Sequence, residues 1–309
     1  MSTSTPNIDL RAISPATAGA ASTTSRSAAI AKKKLTSPMA SVVAVLLAVL
    51  WTLPTFGLLV SSFRPEKAIK TTGWWTFFAN PQVTLDNYKS VLSVQGSTGL
   101  SSAFINSVVI TIPSVVIPLC LASLAAYAFA WIDFKGKNFL FITVFALQIV
   151  PLQVTLFPLL DLYVKTHLNG TFWTVWLSHS TFALPLAIFI LHNFMKEIPK
   201  ELIEAARMDG AGHVKIFTRV LLPLLTPALA AFGIFQFLWV WNDLLVALTF
   251  AGDDARPMTA ALANLSGTKG TAWHLLSAGA FLSIIVPIVV FISLQRFFVR
   301  GLLAGGLKG

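Results

Sequence analysis

Cysteine is nearly absent. Cys120 is the only one in 309 residues, and it lies inside an apolar run. A single cysteine excludes an intrachain disulfide and a cysteine-built zinc site. Cys120 reads instead as a small buried hydrophobe. Charge is scarce as well: 11% of residues are Asp, Glu, Lys or Arg, against about 25% in soluble domains. The five histidines, His167, His179, His192, His213 and His274, form no HxxxH or HExxH pair, which argues against a metal centre. No GxxxxGK[ST] phosphate loop, no GxSxG turn and no carboxylate pair inside an apolar run is present. An enzyme reading therefore has no residues to stand on, and no motif offers a site for ATP.

What fills the chain is apolar length. Hydrophobic residues make up 55%, and the mean hydropathy is +0.76. Six runs, roughly 39–60, 104–130, 139–160, 172–195, 221–247 and 275–298, each come close to or exceed the ~20 residues needed to cross a bilayer. The expected fold is all-α: a polytopic membrane protein with six transmembrane helices. Every run contains proline: Pro54, Pro113 and Pro118, Pro151 and Pro158, Pro185, Pro223 and Pro227, and Pro287. Proline is tolerated in a span where neighbouring helices re-satisfy the freed carbonyls. So many kinks suit a bundle with a cavity. No internal repeat is evident, so an inverted-repeat carrier has no support.

The net charge of +10 is read by side of the membrane, not as a nucleic-acid footprint. With the N-terminus inside, Arg64, Lys67, Lys70, Lys89, Lys165, Arg256 and Lys269 fall outside, and the other fifteen of the twenty-two Lys and Arg fall at inner segments. The positive-inside rule then places both termini in the cytoplasm. Three parts are expected: a disordered basic tail over 1–38, a six-span domain over 39–298 and a short cytoplasmic tail over 299–309. The first 38 residues are rich in Ser, Thr and Ala with few long apolar side chains, too little to offset the entropy of ordering. The loop 61–103 reads as a partly folded external cap.

The other long polar island, 196–220, is cytoplasmic in this topology. Pro199 can open a helix there, and Gly210 can close it in the left-handed conformation. Val214, Phe217 and Val220 then recur every three residues, a second short helical pattern. Two short helices in such a loop make a docking knob.

Within the spans, Gln148, Gln153, His179, Gln236 and Asp243 are polar, and no Lys or Arg accompanies them. Asp243, in Trp239-Val240-Trp241-Asn242-Asp243, reads either as pore lining or subunit pairing, or as a position near the outer interface. Polar, nearly uncharged residues beside Trp and Phe suit a neutral polyhydroxy solute, whose hydroxyls take hydrogen bonds and whose apolar ring faces stack on aromatic rings. Gln148, Gln153, Gln236, Trp239, Trp241, Asn242 and Asp243 are the candidate solute path. Helix–helix hydrogen bonding accounts for any single one of the polar side chains equally well.

The motif Glu204-Ala205-Ala206, with Asp209-Gly210 and then Leu222-Pro223, resembles the cytoplasmic EAA loop of permease subunits of bacterial ABC importers. That pattern has Ile two positions before Leu-Pro; here it is Val220. Ala126-Tyr127-Ala128-Phe129-Ala130, Ile149-Val150-Pro151-Leu152-Gln153-Val154 and Trp241-Asn242-Asp243 resemble the carbohydrate-uptake class, and the run from Gln295 to Leu302 and on to Gly309 is similar to the tail of the maltose-type six-span subunit.

The resemblance implies a coupling-helix pair between spans four and five, with Glu204, Ala205, Ala206, Asp209, Gly210, Leu222 and Pro223 at the ATPase. It implies a second homologous permease, two ATPase subunits that carry the ATP and Mg, and an external solute-binding protein that delivers the sugar. No cofactor is expected on this chain itself, and the setting is the bacterial plasma (inner) membrane. The expected cargo is a neutral di- or oligosaccharide, with α-glucosides first. A polyol or glycerol-3-phosphate on the same architecture, or a stand-alone secondary carrier, are the alternatives.

Overall fold

A computed structural model describes residues 38–93, 100–266 and 272–306, with side chains as far as Gln295. The expectation of disorder over 1–38 lies, but for Pro38, outside the described residues, as does the end of the short tail. The chain divides into two units, 1–57 and 58–309. The first is described only by most of helix α1 (Pro38–Ser62), 25 apolar residues interrupted by Pro54. By its length and apolar composition it is able to cross a membrane.

The second unit is all-α among its described residues, its helices joined by loops, with one isolated bridge between Gly170 and Ala251. α2 (Glu66–Thr71), a 3-10 turn at Trp74–Phe78 and α3 (Asp86–Ser93) fold the loop expected as a cap. Arg64 organises them. Its side chain is buried and donates to the carbonyls of Ala68 and Thr72 at 3.2 and 3.3 Å and to the hydroxyl of Thr76 at 3.2 Å. Burial pushes this guanidinium below its ordinary pKa. Asn87 Nδ2 donates to the carbonyls of Ser62 and Arg64 at 2.9 and 2.8 Å, so α3 is pinned to the end of α1 by hydrogen bonds that a buried amide requires.

α4 (Leu100–Trp131) is the long central helix. Its 32 residues rise ~48 Å, more than a ~30 Å hydrocarbon core needs. α5 (Lys137–Ala146) continues through a 3-10 turn, Leu147–Ile149, and α6 (Leu152–Lys165) follows. The expected third span is thus not one straight helix. The two halves meet at an angle of 101°, because Pro151 cannot donate an N–H and pushes Val150 into extended backbone, ψ 121°.

α7 (Phe172–Lys196) packs along α4 with small residues facing inward: Ala122 and Ala126 on one helix, Ala183 and Ala187 on the other, all buried. Small side chains let two spans approach where no hydrophobic drive separates helix from lipid. α8 (Lys200–Met208) and α9 (His213–Ile216) follow. A π turn, Phe217–Leu221, then leads into α10 (Leu222–Trp241). α11 (Leu245–Phe250), α12 (Met258–Ser266) and α13 (Trp273–Gly306) complete the chain.

Among the described residues five helices are long and apolar enough to span, or six if the bent pair is one span. Two further expectations change. The fifth apolar helix starts earlier and stops at Trp241, so Asp243 lies in the turn beyond it. Cys120 is exposed rather than buried among the described residues.

The two candidate sites, a coupling knob and a solute cavity

The segment 200–223 is built from two anchors and a bend. Ile203 of α8 and Ile216 of α9 are buried in one cluster with Leu191, Met195, Leu221 and Leu225. Between them the chain turns at Gly210, whose φ is +76°. The N–H of Ala211 donates to the carbonyl of Ala206 at 3.0 Å, and that of Gly210 to Arg207 at 2.9 Å. These are the two bonds of a Schellman cap, which needs a left-handed residue at that point. Pro199 sits just before the first helical residue, with ψ 134°. The expected second helix is a single turn that runs on, through the π turn, into α10. Its cause is local: Pro223 has no N–H for the carbonyl of Arg219, and Leu222 donates instead five residues back, to Phe217. Leu222 and Pro223 therefore belong to the joint where the knob becomes a span.

Of the EAA triplet, Glu204 and Ala205 are exposed, while Ala206 is half-buried against the cluster. Asp209 is exposed beside Gly210. The outward face also carries Met208 and Val214, 89% and 78% exposed. Met208 was not a candidate from sequence; the signal was available in its spacing, four residues after Glu204 and three after Ala205, which places it on their face. The knob is tied to the body by Tyr127, near the end of α4, whose hydroxyl lies 2.7 Å from His213 Nδ1. The Tyr127 ring also lies against Phe217, centroids 5.4 Å apart.

The second candidate site is the hollow left by the bend at Pro151. A cavity of about 640 Å³ is lined there by Gln148, Thr155, Thr181, Phe182 and Trp239, among others. This is within the range of small-molecule sites. Of the seven residues expected on a solute path, Gln148 and Trp239 line it. The structure does not bring the other five to it. Gln153 is exposed on α6. Gln236 and Trp241 are each 3% exposed and turned inward: Gln236 Nε2 donates to the carbonyl of Ser114 at 3.2 Å, and Trp241 Nε1 to that of Ser283 at 3.1 Å. Asn242 Nδ2 donates to the carbonyl of Leu238 in its own helix, at 2.8 Å. The Asp243 carboxylate accepts the N–H groups of Val246 and Ala247 at 3.3 and 3.0 Å, at the start of α11. Buried His179 lies 3.7 Å from it. Thr155 and Thr181, which supply hydroxyls to the cavity wall, had no sequence signal, since the bend that gathers them is invisible in hydropathy.

Residues 102–303 match the family model described as binding-protein-dependent transport system inner membrane component. The chain is similar to the osmoprotective compounds uptake permease protein GgtD of Synechocystis sp., 53% identical over 268 residues, or 85% of this chain and 89% of that protein. It is also similar to the alpha-glucoside transport system permease protein AglG of Rhizobium meliloti, 47% identical over 263 residues, or 81% of this chain and 67% of that protein. The fold is shared with a bacterial ABC transporter involved in the import of the acidic polysaccharide alginate: TM-score 0.70 at 20% identity, covering 84% of this chain and 95% of that chain.

Proposed function

The chain belongs to the binding-protein-dependent transport system inner membrane components, and on that footing we propose that it is the permease subunit of an ATP-driven importer for a neutral di- or oligosaccharide of the α-glucoside kind. The observation that carries the cargo is the cavity at Pro151. Its wall combines the amide of Gln148, the hydroxyls of Thr155 and Thr181 and the indole of Trp239, with no charged side chain on it among the described residues. Amides and hydroxyls exchange hydrogen bonds with sugar hydroxyls, and an indole face covers the apolar face of a pyranose. A phosphate ester would call for a cation there, which disfavours glycerol-3-phosphate. The name of AglG points to α-glucosides. That of GgtD, osmoprotective compounds, keeps a smaller neutral polyol as a second reading.

The partners follow from the family: a second homologous permease, two ATPase subunits and a solute-binding protein. The distribution of Lys and Arg puts both termini and the knob in the cytoplasm, where ATP is. In this orientation Glu204, Ala205 and Met208 face the ATPase. Ala205 lets the helix seat closely, Glu204 offers a charge to a partner Arg or Lys, and Met208 adds an adaptable apolar contact. A push on α8 has a short route. The Schellman cap at Gly210 makes the knob stiff, the buried Ile203 and Ile216 carry the load into the body, and the π turn before Pro223 lets the knob swing against α10. No step of hydrolysis falls to this chain; ATP and Mg belong to the ATPase subunits.

The test is ATPase activity of the reconstituted complex, measured with the binding protein across a panel of saccharides, polyols and glycerol-3-phosphate. Stimulation by α-glucosides supports the reading. Stimulation by polyols alone moves the cargo to the second reading. Uptake by this chain without ATP or partners overturns both.

A further inference from the structure

Three hydrogen bonds between long helices share a feature. Trp176 Nε1 of α7 donates to the carbonyl of Val109 at 3.0 Å, Gln236 Nε2 of α10 to that of Ser114 at 3.2 Å, and Trp241 Nε1 of α10 to that of Ser283 at 3.1 Å. Each acceptor lies four residues before a proline: Val109 before Pro113, Ser114 before Pro118, and Ser283 before Pro287. In an α-helix the carbonyl at that position would accept the N–H that proline lacks. Inside a span no water replaces it, and an unsatisfied carbonyl is costly. All three orphaned carbonyls are thus taken up by side-chain N–H groups from another helix. Gln236 and Trp241 are almost wholly buried, and the Trp241 ring is wedged between Phe104 and Phe237, centroids 5.9 and 5.7 Å away. These donors are held in place by those bonds, and none of the three is on the wall of the cavity at Pro151.

We propose that Trp176, Gln236 and Trp241 are positioning residues for transport, each stapling a proline kink of one span to a neighbouring span. The kinks at Pro113 and Pro118 in α4 are held by α7 and α10, and the kink at Pro287 in α13 is held by α10. Four spans are therefore joined at the proline positions of α4 and α13. A displacement of α10, which begins at the coupling knob, is passed to α4 and α13 at fixed places along their length. A free proline kink would let each helix flex by itself. The donors are matched to the need: Trp and Gln reach across a helix–helix gap and carry an N–H, whereas the prolines leave only acceptors.

The proposal makes Gln236 and Trp241 structural joints, not cargo contacts, and it rests on the transport reading only for its activity readout. The test is a double-mutant cycle in the assembled complex with its partner subunits. Gln236→Met keeps the shape and removes the donor. Pro118→Ala returns an N–H to the Ser114 carbonyl from within α4. The expected result is that Gln236→Met lowers the thermal stability of the complex and its maximal uptake rate, with about a two- to tenfold loss as for one hydrogen bond. KM for the saccharide stays unchanged. In the Pro118→Ala background the same substitution has little further effect.

Trp176→Phe against Pro113→Ala and Trp241→Phe against Pro287→Ala repeat the cycle at the other two kinks, so failure of one variant to assemble leaves the question decidable. Equal losses in both backgrounds overturn the proposal, and so does a raised KM with the maximal rate intact, which would make Gln236 a cargo contact. If no form of the complex transports a saccharide, the functional reading fails, while the stability cycle still decides the staples.

Discussion

The hydroxyl of Tyr127 and Nδ1 of His213 are 2.7 Å apart, 86 residues distant in sequence. The bond joins the end of the long helix α4 to the first turn of α9. Tyr127→Phe keeps the ring against Phe217 and removes the bond alone. One hydrogen bond is worth about 0.5–1.5 kcal/mol net. The expected outcome is a complex that assembles with a slightly lower melting temperature and imports severalfold more slowly at a normal basal ATPase rate. Uptake and hydrolysis measured side by side check this; unchanged uptake would show the bond to be incidental.

Gly210 has open space around a would-be Cβ, and its φ is +76°. The penalty for a side chain is therefore in the backbone and not in a clash. Left-handed geometry costs an L-residue roughly 1–2 kcal/mol, with Asn the best tolerated after glycine. Gly210→Asn is expected to retain most uptake, Gly210→Ala less, and Gly210→Val least, with melting temperatures in the same order. Equal behaviour of all three would contradict the cap.

Asp243 accepts two backbone N–H groups at the start of α11 and lies 3.7 Å from His179. Asp243→Asn keeps an acceptor of the same size, and Asp243→Ala keeps none. Loss of a carboxylate that caps a helix start costs about 1 kcal/mol. Asp243→Ala is expected to lower stability measurably, and Asp243→Asn to reduce uptake far less than Glu204→Lys does. Thermal unfolding and an uptake assay on the three variants settle the order; the reverse ranking would move Asp243 to the centre of the mechanism.

Gln148 and Trp239 face one cavity. Trp239→Ala is expected to raise the KM for uptake severalfold, since it removes the large aromatic surface against which a sugar's apolar ring face would be buried. Gln148→Ala is expected to raise it less. Neither should change ATPase activity in the absence of saccharide. A lowered maximal rate at constant KM would remove the cavity from the solute path.

The apolar runs and their proline content were enough to read an all-α bundle and the place of its polar knob. Gly210 was legible as the left-handed cap because few residues other than glycine adopt that conformation readily. The bend in the third run was not. Val150-Pro151 is as apolar as its surroundings, so hydropathy runs straight across a 101° turn. The hydrogen bonds of Gln236 and Trp241 were hidden for a related reason. A polar side chain in a span reads the same whether it faces a solute or a proline-freed carbonyl, and only the register between α10 and its neighbours decides. Cys120 is exposed although its setting is apolar, because sequence alone does not say which face of α4 meets another helix. The second knob helix merged into α10 because Pro223 shifts the hydrogen bonds to a π turn, which a three-residue apolar period does not foretell.

The account turns on Glu204 and its helix as the point where ATP hydrolysis in a partner drives this chain. The most direct measurement is saccharide uptake and ATPase activity of the full complex carrying Glu204→Lys, with membrane insertion checked in parallel. The charge sits on the exposed face of α8, so the substitution leaves the buried anchors Ile203 and Ile216 untouched. The predicted result is normal insertion, loss of α-glucoside uptake and loss of saccharide-stimulated ATPase activity. Full uptake with full stimulation in that variant would contradict the docking of this helix on the ATPase.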